Sequence, residues 1–155
     1  MNEDEKDEAL FSAIREIFNE KIPFNKVLGL QVKSLLVDRV KVGFEMNPGL
    51  IGNYMRGTLH GGVISTVIDV TGGLSAYMGI LQKMSGKSLE AKLEKFGRLG
   101  TIDLRVDYLR PGTGRTFTST GYNLRIGNRV VVTRIEVHND ANDLIAVGTG
   151  SYVVA

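Results

Sequence analysis

One long segment of apolar and small residues, 59–78, constrains the fold of this chain more than any other feature. Asp69 carries the only formal charge within it. On a helix, at about 100° per residue, the larger apolar side chains gather on one third of the circumference. That face consists of Val63, Val67, Val70, Leu74 and Met78, flanked by Ile64 and Ile68. The segment is therefore predicted to be a long helix that buries this face against a sheet.

The opposite face of the predicted helix carries unusually small residues. It consists of Ser65, Asp69, Gly72, Gly73 and Ala76. A glycine inside a helix costs about 1 kcal/mol relative to alanine, so paired glycines are most useful where another backbone or a ligand approaches closely. Asp69 lies in the middle of this face and is the candidate functional carboxylate. The alternative is a buried aspartate that is hydrogen-bonded across a dimer interface.

The start of the helix is rich in glycine. His60 precedes Gly61 and Gly62, whose backbone N–H groups are expected to be free donors at the positive end of the helix dipole. Such donors can receive a carbonyl oxygen or a phosphate. Asp69 lies about 12 Å farther along the axis, so one helix hardly presents Gly61 and Asp69 to the same atom. Two antiparallel copies could do so, and a site shared between the subunits of a dimer is predicted.

Composition indicates an ordinary globular protein, with 43% hydrophobic and 23% charged residues. The absence of cysteine excludes disulfides, thiol catalysis and thiolate metal sites, and it fits a cytoplasmic location. The N-terminus is polar and acidic, unlike a signal peptide. A charge in the middle of residues 59–78 would cost at least about 2.5 kcal/mol in a bilayer, which argues against a membrane span.

The charge distribution gives limited information about partners. The first eight residues are acidic and the rest of the chain is basic, although the net charge is only +2. A basic body favours an anionic ligand such as a nucleotide phosphate, but solubilising surface charge is the simpler explanation. No basic and aromatic cluster indicates nucleic-acid binding. Two widely separated histidines offer no credible metal site, and no dinucleotide or phosphate-loop motif indicates a cofactor.

Along the chain, the patterns predict one α+β unit. An amphipathic helix is expected near residues 5–19, ended by Pro23 and followed by a connector over 24–29. Strands are predicted over 30–36, 40–46, 101–109, 115–124, 129–138 and 144–154. This order predicts an antiparallel sheet of five to six strands wrapped around a long central helix, about 60–79, with an extra N-terminal helix.

The domain interpretation separates an acidic helical segment, residues 1–24, from a single domain over residues 25–155. The polar segment 82–99 is interpreted as a short helix or a mobile flap, and as a plain connector rather than a lid over the site.

Three features together resemble the hotdog-fold thioesterases of the PaaI type. They are the sequence LHGGV over residues 59–63, Asp69 nine positions after the histidine, and the run TIDLRVDYLRP over residues 101–111. The resemblance covers roughly residues 25–155. It implies a hotdog fold, dimers that join their sheets edge to edge, and often tetramers. It also implies hydrolysis of acyl-CoA thioesters to a free acid and CoA.

The resemblance further implies roles for individual residues. Gly61 would donate its backbone N–H to the thioester carbonyl, and Asp69 from the partner subunit would be the general base or the nucleophile. His60 would orient the loop. Thr101 stands where the family often has a Ser or Thr that positions water.

The loop before the helix departs from the family pattern by one residue. The family commonly has an asparagine six residues before the histidine, and that position is Tyr54 here, so Asn53 becomes the candidate for the asparagine's role. Substrate binding is assigned to Gly62, Tyr54, Ser65 and Arg110, with Arg125 and Arg129 as further candidates for binding CoA.

Two other functions remain open from the sequence. One is a non-catalytic acyl-CoA sensor, although the presence of Asp69 and the Gly61 amide argues against it. The other is a hotdog hydratase or dehydratase acting on β-hydroxyacyl thioesters. Those enzymes have a different sequence motif, which is absent here. The apolar residues around the helix suit a medium or long acyl chain, and aryl-acyl substrates are nearly as plausible.

Overall fold

A long helix packed against an antiparallel sheet organises the chain, as the sequence predicts. The computed structural model describes residues 3–155. The helices are α1 (Glu3–Glu16), α2 (Pro23–Leu28), α3 (Gly61–Gln82) and α4 (Leu89–Glu94). The strands are β1 (Gln31–Leu36), β2 (Arg39–Glu45), β3 (Ile51–Asn53), β4 (Thr58–Leu59), β5 (Gly100–Tyr108), β6 (Thr116–Ile126), β7 (Val130–Asn139) and β8 (Leu144–Val153).

The main sheet has six strands in the order β1-β2-β6-β7-β8-β5, all antiparallel, and β3 and β4 form a separate two-stranded ribbon. A strand is present for each predicted run, and no end differs from its predicted position by more than two residues. In β7, Val131, Thr133, Ile135 and Val137 are buried and alternate with half-buried neighbours, because successive side chains of a strand point to opposite faces. β5 and β1 are the two edges of this sheet.

Glycines on two strands let the helix α3 approach the sheet closely. A Cβ on Gly121 of β6 would meet the Thr71 side chain at 3.0 Å, and a Cβ on Gly148 of β8 would meet Ile68, which flanks the predicted apolar face. These glycines leave room for the helix side chains. The two ends of the predicted apolar face border clefts: Val63 lines one with α2, and Met78 lines another with α1.

The segment 24–29, predicted as a connector, is the short helix α2. Pro23 ends the preceding helical run, and its fixed φ also suits the first turn of a new helix, where its missing N–H is not needed. Gly29 closes α2 in the left-handed conformation with φ 68°. The prediction was wrong because a proline marks the end of one helix without excluding the start of another directly after it.

The N-terminal segment and the polar segment 82–99 meet through one aromatic side chain. Phe96 packs edge-on against Phe18, with ring centroids 5.5 Å apart, and against Tyr77 of α3 at 5.9 Å. The Tyr77 hydroxyl donates to the Lys92 carbonyl oxygen at 2.8 Å. These contacts fix residues 89–98 to the core, which favours the connector interpretation over a mobile flap.

The helix α3 is long and apolar enough to cross a membrane, and it is the one such helix among residues 3–155. In the structure it belongs to the core of the domain, where residues 71–81 are buried without interruption. Its apolar composition is therefore explained by packing inside this domain.

Candidate active site

Asp69 lies midway along α3 and is held by two hydroxyl groups. The Thr101 hydroxyl on β5 donates to Asp69 Oδ1 at 2.8 Å, and the Tyr152 hydroxyl on β8 lies 3.2 Å from the same oxygen. The Tyr152 hydroxyl is also 3.0 Å from the Asp69 backbone oxygen. Asp69 itself is only half-buried, so its carboxylate is fixed in orientation while remaining accessible.

Tyr152 was not identified from the sequence, and the glycines of the helix explain its position. The side chain is 1% exposed, and a Cβ on Gly72 would collide with its hydroxyl oxygen. A Cβ on Gly150 would lie 2.6 Å from its ring. Burial raises the pKa of the Tyr152 hydroxyl far above its usual range, and the neighbouring Asp69 carboxylate raises it further. Tyr152 therefore stays protonated and acts as a hydrogen-bond donor.

His60 caps α3. Its Nδ1 accepts a hydrogen bond from the Gly62 N–H at 2.8 Å, which satisfies one of the free donors of the first turn. The expectation that both glycine amides are free is therefore wrong for Gly62, because the side chain of the preceding histidine occupies its amide. Since Nδ1 accepts, the proton of a neutral His60 ring is assigned to Nε2.

Gly61 is different. Within residues 3–155 its N–H makes no hydrogen bond, so a donor remains at the positive end of the α3 dipole. Its carbonyl oxygen accepts from the Tyr108 hydroxyl at 3.2 Å, which connects the helix start to the end of β5. A Cβ at Gly61 would lie 3.5 Å from the Tyr108 ring, an ordinary contact. An alanine side chain would therefore fit at position 61 without a clash.

The end of β3 and the loop that follows it bring the next two candidates beside the helix start. Asn53, Tyr54 and Met55 line a depression of about 530 Å³ that also reaches His60 and Gly61. The Asn53 side-chain oxygen accepts from the N–H groups of Met55 and Arg56, each at 3.2 Å, so it stabilises the turn of its own loop. The Tyr54 side chain is 87% exposed.

Of the remaining candidates, Ser65 and Arg110 lie near the start of α3, and Arg125 and Arg129 lie near its other end. Ser65 Oγ donates to the Gly62 carbonyl oxygen at 3.1 Å, and Arg110 Nη1 donates to the Leu144 carbonyl oxygen at 2.9 Å. Arg110 borders a depression of about 390 Å³ that includes Gly61 and Tyr108. Arg125 and Arg129 lie elsewhere in this chain, because they flank the β6–β7 turn at the other end of α3. There Lys83 Nζ donates to the carbonyl oxygens of residues 126 and 127.

No group of three or more His, Asp or Glu side chains in the described part of the chain comes together as a metal site. The chemistry available at this site is that of one fixed carboxylate, one free amide and several hydroxyls.

Comparisons with known proteins identify the family of this chain. The model of the family described as "Thioesterase superfamily" matches residues 56–146. The medium/long-chain acyl-CoA thioesterase YigI of Escherichia coli is 39% identical over 147 residues, covering 95% of each chain. A crystal structure from Syntrophus aciditrophicus is 56% identical with a TM-score of 0.89, covering 97% of this chain and 99% of its own. A Shewanella oneidensis protein related to the thioesterase superfamily has a TM-score of 0.91 at 46% identity, covering 95% and 96%.

The fold and these matches together define a thioester hydrolase of the hotdog type. The chain belongs to the thioesterase superfamily.

Proposed function

We propose that this chain hydrolyses acyl-CoA thioesters to a carboxylic acid and CoA, with medium or long aliphatic acyl groups as its substrates. The observation that carries the mechanism is the pairing of a free Gly61 amide with an Asp69 carboxylate that Thr101 and Tyr152 fix on the same helix. The similarity to a medium/long-chain acyl-CoA thioesterase along nearly the whole chain supports the substrate class.

The Gly61 N–H receives the thioester carbonyl oxygen, where negative charge develops as the carbonyl is attacked. One preorganised donor of this kind contributes roughly 3–4 kcal/mol to transition-state stabilisation. Asp69 either removes a proton from the attacking water or attacks the carbonyl itself. The C–S bond then breaks, CoA leaves as a thiolate that is protonated, and the acyl group becomes a carboxylic acid after water is added.

The site is shared between two copies. Asp69 follows Gly61 by eight residues on one continuous helix, about 12 Å along its axis, so a single copy cannot present both groups to one carbonyl. β5 supports a way to bring two copies together. It is an edge strand, and its Thr101 end contacts Asp69 while its Tyr108 end contacts Gly61.

Antiparallel pairing of β5 with the β5 of a second copy sets the Thr101 end of one strand beside the Tyr108 end of the other. Asp69 of one subunit then lies beside Gly61 of its partner. The same pairing removes an exposed sheet edge that carries the apolar side chains Ile102 and Tyr108, which are 58% and 54% exposed. The proposal also includes tetramers, an N-terminal acidic helical segment 1–24 beside the domain 25–155, and a cytoplasmic location.

The first experiment compares wild type with Asp69→Asn on a panel of acyl-CoAs, with free thiol release as the readout. We expect a loss of kcat of about 10²–10⁴-fold in Asp69→Asn, because a positioned general base or nucleophile contributes that much. Asp38→Asn, which changes an exposed carboxylate in the β1–β2 turn, is the matched control and should keep wild-type activity. Size-exclusion chromatography shows whether each variant assembles like the wild type.

Other outcomes would overturn the mechanism. Binding of acyl-CoA without thiol release by the wild type would indicate a sensor, and consumption of an enoyl-CoA double bond would indicate a hydratase. An Asp69→Asn variant that fails to assemble would make Asp69 a structural residue.

Subunit mixing tests the sharing of the site. Asp69→Asn and Gly61→Val chains, each inactive alone, are co-expressed with different tags. In a dimer with two shared sites, each mixed dimer contains one intact site, so the statistical mixture recovers about a quarter of wild-type activity. Recovery near zero would place the whole site within one chain.

A further inference from the structure

The cleft between α2 and the first turns of α3 has no role in the chemistry described above. Its volume is about 460 Å³, within the range of roughly 300–1,000 Å³ that ligand pockets occupy. Its walls are formed by α2, by the segment between β2 and β3, and by the start of α3. Its lining includes Phe24, Val27, Asn47, Val63 and Thr66.

The lining of this cleft suits an uncharged apolar ligand. It contains no lysine, arginine, aspartate or glutamate. Its polar side chains bond within the lining: Asn47 accepts from the Gly49 N–H at 3.0 Å, and Thr66 donates to the Gly62 carbonyl oxygen at 2.8 Å. Phe24 and Val27 nevertheless remain 55% and 71% exposed on α2. Exposed apolar side chains beside an apolar cleft indicate a surface that is covered when a ligand binds.

The cleft borders the candidate active site. His60 lines both this cleft and the depression that holds Asn53 and Gly61, and Gly62 follows the free amide directly. A chain attached to a carbonyl carbon at the Gly61 N–H can therefore enter between α2 and α3. The depression on the other side of Gly61 contains Arg110, which suits the charged CoA portion better.

We propose that the α2–α3 cleft binds the aliphatic chain of the acyl group, and that Phe24 and Val27 determine the preference for longer chains. This assignment rests on the proposed thioesterase function. An aliphatic chain buries apolar surface without needing hydrogen bonds, and the uncharged lining of this cleft offers such a surface. Each buried methylene strengthens binding about fourfold. An acyl chain that fills the cleft should therefore bind much more tightly than a short one.

A thiol-protection experiment tests where the chain lies without requiring turnover. Because the protein contains no cysteine, Val27→Cys introduces a single thiol that an alkylating reagent can follow. Leu36→Cys is the matched control, because Leu36 is a similarly exposed apolar residue, at 62%, outside the cleft. The probes are the thioethers S-dodecyl-CoA and S-butyl-CoA, which the enzyme cannot hydrolyse.

We expect S-dodecyl-CoA at ten times its Kd to slow alkylation at position 27 about tenfold. S-butyl-CoA should leave that rate within about twofold, since its short chain ends before α2. Alkylation at position 36 should not respond to either thioether. Equal protection by both thioethers, or by neither, overturns the assignment. A thiol at position 27 that is unreactive without ligand and becomes reactive on dilution shows that a second copy covers the cleft, which also overturns it.

A second measurement uses activity. In Val27→Asp, kcat/KM for dodecanoyl-CoA should fall about tenfold or more while that for butyryl-CoA stays within twofold, because a charge at the cleft disfavours the apolar chain. Leu36→Asp should preserve the ratio of kcat/KM for dodecanoyl-CoA to kcat/KM for butyryl-CoA. Hydrolysis with an unchanged ratio in Val27→Asp overturns the cleft assignment alone. Protection by S-dodecyl-CoA without any hydrolysis overturns the thioesterase proposal and leaves the cleft assignment intact.

Discussion

The two halves of α3 are built from similar residues but meet different surroundings. Residues 61–70 are partly exposed, end at the carboxylate of Asp69, and begin with an amide that has no partner in the described chain. Residues 71–81 are buried throughout. In the proposed mechanism the first half offers groups to the substrate, and the second half fixes the helix to the sheet.

The glycines show this difference most directly. A Cβ added to Gly61 would have the Tyr108 ring as its nearest neighbour, at 3.5 Å. A Cβ added to Gly72 would collide with Tyr152, whose hydroxyl contacts Asp69. Glycine in a helix therefore serves two separate purposes here. In the proposed mechanism Gly61 leaves space for a substrate, whereas Gly72 leaves space for a side chain of the same chain.

The largest effect on stability is expected for Gly72→Ala. The new methyl group collides with the buried Tyr152 hydroxyl, and overpacking of this kind costs about 1–3 kcal/mol of unfolding free energy. Activity should fall as well, because Tyr152 must move away from Asp69. Urea unfolding measures the loss. Gly97→Ala is the control, since a Cβ there meets no atom within 4 Å. Equal stability of the two variants would contradict the packing argument.

The next largest effect is expected for Tyr152→Phe, which removes one donor to the Asp69 carboxylate. A hydrogen bond to a charged group is worth about 1.5–3 kcal/mol, so kcat should fall at least about tenfold. As Tyr152 is a positioning residue, the separate changes in kcat and KM are the decisive readout. We expect kcat to fall while KM stays within about twofold, because the hydroxyl orients Asp69 and does not contact the substrate. Tyr122→Phe, on another part of the sheet, should leave both constants unchanged.

A smaller effect, confined to activity, is expected for Gly61→Ala. The methyl group fits beside Tyr108, so the unfolding free energy should stay within about 1 kcal/mol of wild type. It occupies space that the thioester needs, and kcat/KM should fall about tenfold. Thiol release and urea unfolding are measured on the same samples. If Gly61→Ala destabilised the protein as much as Gly72→Ala, the distinction between the two halves would fail.

The smallest effect at neutral pH is expected for Tyr77→Phe in the buried half. Removing the hydrogen bond to the Lys92 carbonyl oxygen should cost about 1 kcal/mol at pH 8. Burial raises the pKa of Tyr77 to about 12, so ionisation in the unfolded chain, near pH 10, weakens the folded state as pH rises.

The difference in unfolding free energy between wild type and Tyr77→Phe should therefore shrink by about 1 kcal/mol at pH 11. A difference that stays constant between pH 8 and pH 11 would show that Tyr77 ionises as freely in the folded state as in the unfolded chain.

Much of this protein is determined by the sequence alone, because the relevant signals are local. Alternation along residues 129–138 reflects the two faces of one strand, and the long uncharged segment around Asp69 reflects one buried helix. The position of Gly61 at the helix start follows equally from its neighbours. Thr101 could be named from the family resemblance, and the structure brings its hydroxyl to Asp69.

Only the tertiary structure determines which residues contact the positions that the local sequence patterns mark. The glycines at 72 and 73 indicated a close approach, but nothing near them in sequence shows that Tyr152 would be the group that approaches. The capping of Gly62 by His60 depends on a side-chain rotamer, and the helix α2 depends on packing after Pro23. These features arise from contacts between residues far apart in the chain or from competing local conformations, and the free energy that selects among them is that of the assembled core.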